Sequence, residues 1–186
     1  MKPLLLFAFL FTAGCVYAQG NLNDQLKQQM IKEWQRAKDY TDSYLEAMPE
    51  DKYGFRPTDS IRAFAQQMLH LSVANVALVS VATGFKDTMI MKVYLFSNLE
   101  NRPTAQSRDS VTYFVNRSYD FVIHTIQDLD FNTMDQVVTQ QMPNGIRTET
   151  RLAWLLKAFE HQTHHRGQCT IYIRLVGVHP PPEKLF

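Results

Sequence analysis

The sequence predicts an all-α fold: a four-helix bundle with a long connection between its second and third helices. Three observations predict it. Four stretches carry apolar residues at three- and four-residue spacing. Only 7 Gly and 8 Pro occur in 186 residues, too few for a turn-rich all-β chain. The run that reads as a strand by composition, "MIMKVYLF", has no evident partner, which favours a short apolar crossover over the bundle.

The first helix is expected over residues 23–48. Leu26, Met30, Trp34, Ala37, Thr41, Tyr44 and Leu45 recur there on one stripe. "MPEDKYGFRPTDS" ends it, since Pro49, Gly54 and Pro57 break helices, and Asp59 or Ser60 is placed to cap the next. The second helix is expected over 61–82. Ile61, Ala65, Met68, Ser72, Asn75 and Val79 form one row, Phe64, Leu71, Leu78 and Phe85 a neighbouring one, and Gly84 is a C-terminal stop. The third, over 107–129, carries Val111, Phe114, Val115, Ser118, Val122 and Ile126 on its stripe. A polar loop follows with the turn signal Pro143-Asn144-Gly145, across which "DQVVTQ" and "GIRTET" can pair as a small hairpin. The fourth helix is expected from a Thr148 cap to residue 176, stopped by Gly177 and "HPPP".

The first 18 residues read as a secretory signal peptide, leaving residues 19–186 as the bundle domain. "MKPLLLFAFLFTAGCVYAQG" has a basic residue, Lys2, an apolar run from Leu4 to Phe11, and small residues leading to cleavage after Ala18. The run is too short for a transmembrane helix of about 20 residues. "TAGC" also resembles a lipoprotein box, which would lipidate Cys15 and tie the protein to a membrane; otherwise no membrane contact is expected. Either route exports the protein, to the periplasm or beyond. After cleavage at Ala18 only Cys169 remains, so no internal disulfide is available. Cys169 lies in an apolar helical run and reads as a small buried hydrophobe. A net charge of +1 with scattered Lys and Arg argues against nucleic acid as a partner.

Three of the six histidines crowd into "HQTHH". His161 and His165, at i and i+4, share a helix face and can aim at one ion. His164 competes for the pairing with His161, but adjacent residues point about 100° apart. The strip through His161, His165, Gln168 and Tyr172 favours His165 and sends His164 to the rim. Histidines at this spacing also occur on solvated faces, so the pair needs a third ligand. His70 supplies one. It sits mid-helix on a strip of small and polar residues, Ala63, Gln67, Ala74 and Ala77, which leaves room beside an imidazole. Bundle metal sites are built from facing helices, and three histidines leave positions open. His124 and His179 have no such setting.

These motifs resemble the DinB-like (DinB/YfiT-type) metalloenzyme family. "YLEAMPEDKYGFRPTDSIRAFAQQMLHLSVAN" is similar to the N-terminal half of that family, through Pro49, Glu50, Asp51, Phe55, Arg56, Pro57, His70 and Leu71. "HQTHHRGQCTIYIRLVGVHPP" resembles its last helix, through His161, His165, Arg166, Gly167, Gln168, Arg174, Gly177, Pro180 and Pro181. The resemblance covers nearly all of the chain after the signal peptide. It implies a DinB/YfiT-type bundle and a divalent ion, zinc or nickel, on three histidines that map to His70, His161 and His165. It also implies thiol-dependent transferase or isomerase chemistry on a small-molecule substrate in some members, and common homodimers. The export signal sets this chain apart, because the thiols those transferases use are chiefly cytoplasmic.

The sequence thus supports an exported, metal-dependent enzyme of transferase or hydrolase type, with a non-catalytic metal- or ligand-binding bundle as the alternative. Three neutral imidazoles leave an ion its full charge, so it lowers the pKa of a bound water or thiol. Gln168, one turn beyond His165, is a candidate outer contact to metal or substrate. Arg166 reads as a helix anchor or ion-pair partner. No general base stands out: Glu160 points about 100° away from His161. Tyr40, Tyr44 and Tyr172 are the remaining candidates.

Overall fold

The structure is a computed structural model that describes residues 22–85, 87–142 and 144–186. The expected signal peptide, the Ala18 cleavage point, Cys15 and Pro143 lie outside the described residues. The bundle consists of α1 (Lys2–Ala47, described from Leu22), α2 (Phe64–Thr83), α4 (Arg108–Asp128) and α5 (Arg151–Leu175). The connection from α2 to α4 holds a short helix, α3 (Thr88–Tyr94), and two single helical turns, Leu99–Asn101 and Pro103–Ala105. The "MIMKVYLF" run is therefore a helical crossover, begun by the Asp87 side chain accepting from Met89 and Ile90 N–H groups. A two-stranded antiparallel hairpin, β1 (Val137–Met142) and β2 (Gly145–Thr150), links α4 to α5.

The apolar stripes face one core. Trp34, Ala37, Thr41, Val79, Val111, Val122 and Leu155 are all fully buried. α2 packs most extensively against α5, then against α4, which makes it the central helix. It is long and apolar enough to cross a membrane by composition, but most of that apolar surface is buried inside the bundle. Ile61 and Phe85, expected on its rows, are exposed because both lie beyond its ends.

Two helix starts differ from the sequence expectation, each for a tertiary reason. α2 begins at Phe64, with Asp59 and Ser60 exposed in the loop and capping nothing. Carbonyls of Phe55 and Tyr53 accept from the Phe64 and Ala65 N–H groups at 3.0 and 2.9 Å, and Gln66 Oε1 accepts from the Ala63 N–H at 3.0 Å. The folded-back loop thus satisfies amides that a side-chain cap would otherwise serve. α5 is capped by Thr150, whose side chain accepts from Ala153 N–H at 3.1 Å. Thr148 is held in β2 opposite Thr139, their hydroxyls 3.0 Å apart. The stops fall where glycine was expected. Gly84 and Gly177 take φ of +72° and +81°, a backbone region costly for other residues.

A polar knot lies inside the bundle beside the histidine turn. Arg166 is 4% exposed and donates to Gln162 Oε1 at 2.7 Å, Thr41 Oγ1 at 3.3 Å and the Ala37 carbonyl at 3.4 Å. Its guanidinium also lies 4.6 Å from the Tyr40 ring centroid, a cation–π contact. Tyr119 donates to Gln162 Oε1 at 2.8 Å and meets Thr41 Oγ1 at the same distance. Arg166 is thus the helix anchor that the sequence suggested. Its hydrogen bonds run to neutral oxygens, so the expected ion pair is not part of the knot.

Candidate metal centre

α2 brings His70 against the face of α5 that carries His161 and His165. The ring centroids of His70 and His165 are 4.6 Å apart, those of His70 and His161 5.3 Å, and those of His161 and His165 4.3 Å. One nitrogen from each ring lies within 4.8 Å of the others, and this is the one such cluster among the described residues. The Nε2 atoms of His161 and His165 are 3.1 Å apart. Two nitrogens each about 2.1 Å from a shared zinc in tetrahedral geometry would sit roughly 3.4 Å apart, so this pair already has near-ligand spacing.

The donor set fits a cation by its protonation as well. Burial, then the charge of the neighbouring imidazoles, lowers the pKa of His161 to about 4 and of His165 to about 3. Both rings are neutral near pH 7, so each carries one nitrogen lone pair, and the ring's other contacts decide which nitrogen holds it. His161 Nδ1 is buried without a hydrogen-bond partner, so the ring's polar contact is on the cluster side. The three-histidine group is compatible with metal binding.

The pKa shifts carry a stability prediction. Folding lowers both pKa values below the ordinary 6.5, so the unfolded chain takes up protons first as pH falls. The stability of the metal-free protein should be full above pH 6.5 and decline between 6.5 and about 3, the lower of the two folded values. Urea denaturation at a series of pH values checks this. The double variant His161→Gln/His165→Gln should show a flatter curve through that window, and an unchanged slope would contradict the assignment.

The structure adds a residue that sequence reasoning missed. Glu100, in the turn Leu99–Asn101, places Oε2 2.9 Å from His70 Nδ1 and takes a short hydrogen bond from Arg62 Nε on Oε1. Burial works to raise its pKa, but the hydrogen bonds from His70 and Arg62 outweigh this and hold the carboxyl below its ordinary value. The ionised carboxylate fixes the proton on His70 Nδ1 and turns Nε2 to the cluster, the usual support for a metal-binding imidazole. The turn is itself pinned. Leu99 is buried, Gln66 Nε2 donates to Asn101 Oδ1 at 3.1 Å, and Gln106 Nε2 donates to the Glu100 carbonyl at 3.2 Å. Nothing local in "SNLENRP" marks Glu100, because its partner lies 30 residues away.

Gln67 was the other omission as a contact, although it lay on the expected strip. Its Nε2 sits 2.8 Å from His165 Nδ1 and also donates to Gln168 Oε1 in a short contact. Gln168, the candidate outer residue, is therefore one link further out, with its Nε2 3.0 Å from the exposed His164. His164 stays at the rim as expected. Tyr172 is close by and donates to the Arg62 carbonyl at 2.7 Å. Tyr40 and Tyr44 instead contact Arg166 and Thr170, away from the imidazoles. Cys169 is fully buried, and burial pushes its thiol far above the ordinary range, which leaves it inert. His124 and His179 are exposed and outside the cluster.

Comparison with known proteins follows the same line. A model of the DinB family matches residues 20–185. The chain belongs to the DinB family. No curated protein matches the sequence. Among solved structures, a DinB-like protein from Bacillus cereus aligns at a TM-score of 0.65 and 15% identity, covering 84% of this chain and 96% of that one. A DinB-like protein from Bacillus subtilis gives 0.61 and 17%, covering 85% and 96%. A conserved protein from Enterococcus faecalis gives 0.60 and 14%, covering 80% and 95%. At these identities the likeness is one of fold, and it shows the DinB helical bundle.

Proposed function

We propose that this DinB-family chain is an exported, divalent-metal-dependent enzyme of transferase or hydrolase type, with His70, His161 and His165 as the ligands. The observation that carries the reading is the convergence of three imidazole nitrogens within 4.8 Å, one ring oriented by the Glu100 carboxylate. Three neutral nitrogen donors suit both zinc and nickel. When bound, the ion supplies Lewis acidity toward an oxygen or sulfur group of the substrate or nucleophile. The chain's residues supply the rest. Glu100 keeps the His70 proton on Nδ1, Gln67 engages the far side of His165, and Arg62 contributes a positive charge beside the cluster. The signal sequence favours a periplasmic or secreted setting, where water is the more available nucleophile.

The test uses the purified protein stripped with chelator and reloaded with zinc or nickel. It is assayed with p-nitrophenyl acetate for hydrolysis and with 1-chloro-2,4-dinitrobenzene plus cysteine for thiol transfer. Turnover in the loaded form, lost on stripping and in His161→Ala, is the expected result. A fully loaded protein with background rates across a broad panel of esters, amides and thiol acceptors would instead support a non-catalytic metal holder.

A further inference from the structure

Gln67 and Gln168 join the protein surface to the metal centre through hydrogen bonds that cannot be chosen independently. One end atom of the Gln67 amide faces both His165 Nδ1 and the Gln168 side chain. That atom must therefore donate to both or accept from both. In the structure it is the nitrogen. His165 Nδ1 then accepts, which puts the ring's proton on Nε2, directed at His161 Nε2 3.1 Å away. This arrangement closes the cluster on itself with an N–H···N hydrogen bond. It also leaves no lone pair on His165 Nε2 for a cation.

Turning both amides by half a turn preserves every contact and reverses every direction. The Gln67 oxygen then accepts from His165 Nδ1–H and from the Gln168 amide N–H. The Gln168 oxygen accepts from His164 Nε2–H, across the contact now made by the Gln168 nitrogen at 3.0 Å. His165 Nε2 is left bare and faces the cluster. Gln67 is 3% exposed, so bulk water offers its amide little alternative to these partners.

We infer that Gln67 and Gln168 form a two-state latch: metal uptake requires the concerted reversal of both amides, so the exposed Gln168 sets the affinity of the buried site through Gln67. Both are positioning residues that act through His165. The inference rests on His70, His161 and His165 being the ligands. It also gives the exposed His164 a part, as the outer end of the chain and not as a ligand.

Two surface substitutions test the latch, because hydrogen-bond direction and simple charge predict opposite signs. Gln168→Glu offers acceptors only, which locks Gln67 as the donor and holds the metal-free arrangement. It should weaken zinc binding about tenfold, the lower end of what outer contacts contribute, although a negative charge near a cation would by itself tighten binding. Gln168→Lys offers donors only, favours the metal-ready arrangement and should bind zinc at least as tightly as wild type despite its positive charge. Zinc and cobalt affinities of the full chain are read by competition with a chromophoric chelator. Nitrogen-15 imidazole spectra should show His165 protonated on Nε2 without metal and on Nδ1 with zinc. Affinities that follow charge, or an Nδ1–H tautomer already present in the metal-free protein, would overturn the latch while leaving the three-histidine site intact. A wild-type chain that binds neither zinc nor cobalt would overturn the site itself, and the latch with it.

Discussion

His161→Ala is expected to lower zinc or nickel affinity by well over about 100-fold, more than the loss of an outer contact produces. The substitution removes one of three nitrogen donors, whose Nε2 lies 3.1 Å from His165 Nε2. No other His, Cys, Asp or Glu among the described residues is placed to complete the set. Glu100 is engaged by both His70 and Arg62, so swinging inward would break two charge-assisted contacts. Competition titration with a chelator of known affinity reads the change. His164→Ala is the control. His164 is exposed and its ring nitrogen contacts Gln168, so its removal should shift affinity by less than about tenfold.

Trp34→Ala is expected to destabilise the protein by about 3–5 kcal/mol, the range for truncating a fully buried aromatic. Trp34 has no exposed surface and meets Tyr119 and Phe159 edge-on, at centroid distances of 5.8 and 5.3 Å. It thereby joins α1 to α4 and α5 beside the Arg166 knot. Trp34→Phe should cost less, roughly 1–2 kcal/mol, because the ring contacts persist in part and the lost Nε1 group has no hydrogen-bond partner to strand. Urea denaturation of the three proteins gives the order. Equal losses for Phe and Ala would mean that the indole's extra ring, and not aromatic contact as such, holds the helices together.

Much of the fold was legible in the sequence because helices announce themselves locally. Trp34, Ala37, Thr41, Tyr44 and Leu45 on α1 are buried as their spacing required, and the stops at Gly84 and Gly177 need only a positive φ. The two α5 members of the histidine cluster were legible for the same reason, since four-residue spacing settles which histidine shares a face with His161. What was not legible depends on contacts between distant segments. The start of α2 is set by carbonyls of Tyr53 and Phe55, which no capping rule reads. Glu100 becomes part of the site only because the α2–α4 connection folds back onto Arg62 and His70. The role of Gln67 appears once α2 lies against α5, and the buried Arg166–Gln162–Tyr119 knot once α1, α4 and α5 converge. A period reports which face a residue is on; it does not report what that face meets.

The most direct test of the metal centre is the metal content of the purified protein by elemental mass spectrometry, without chelators at any step. Wild type would be compared with His70→Ala, His165→Ala and His164→Ala, each also measured after zinc or nickel is added back. The three-histidine site predicts about one divalent ion per chain in wild type and in His164→Ala, and almost none in the other two. Full occupancy in His70→Ala or His165→Ala, or an empty wild type after zinc and nickel are supplied, would contradict it.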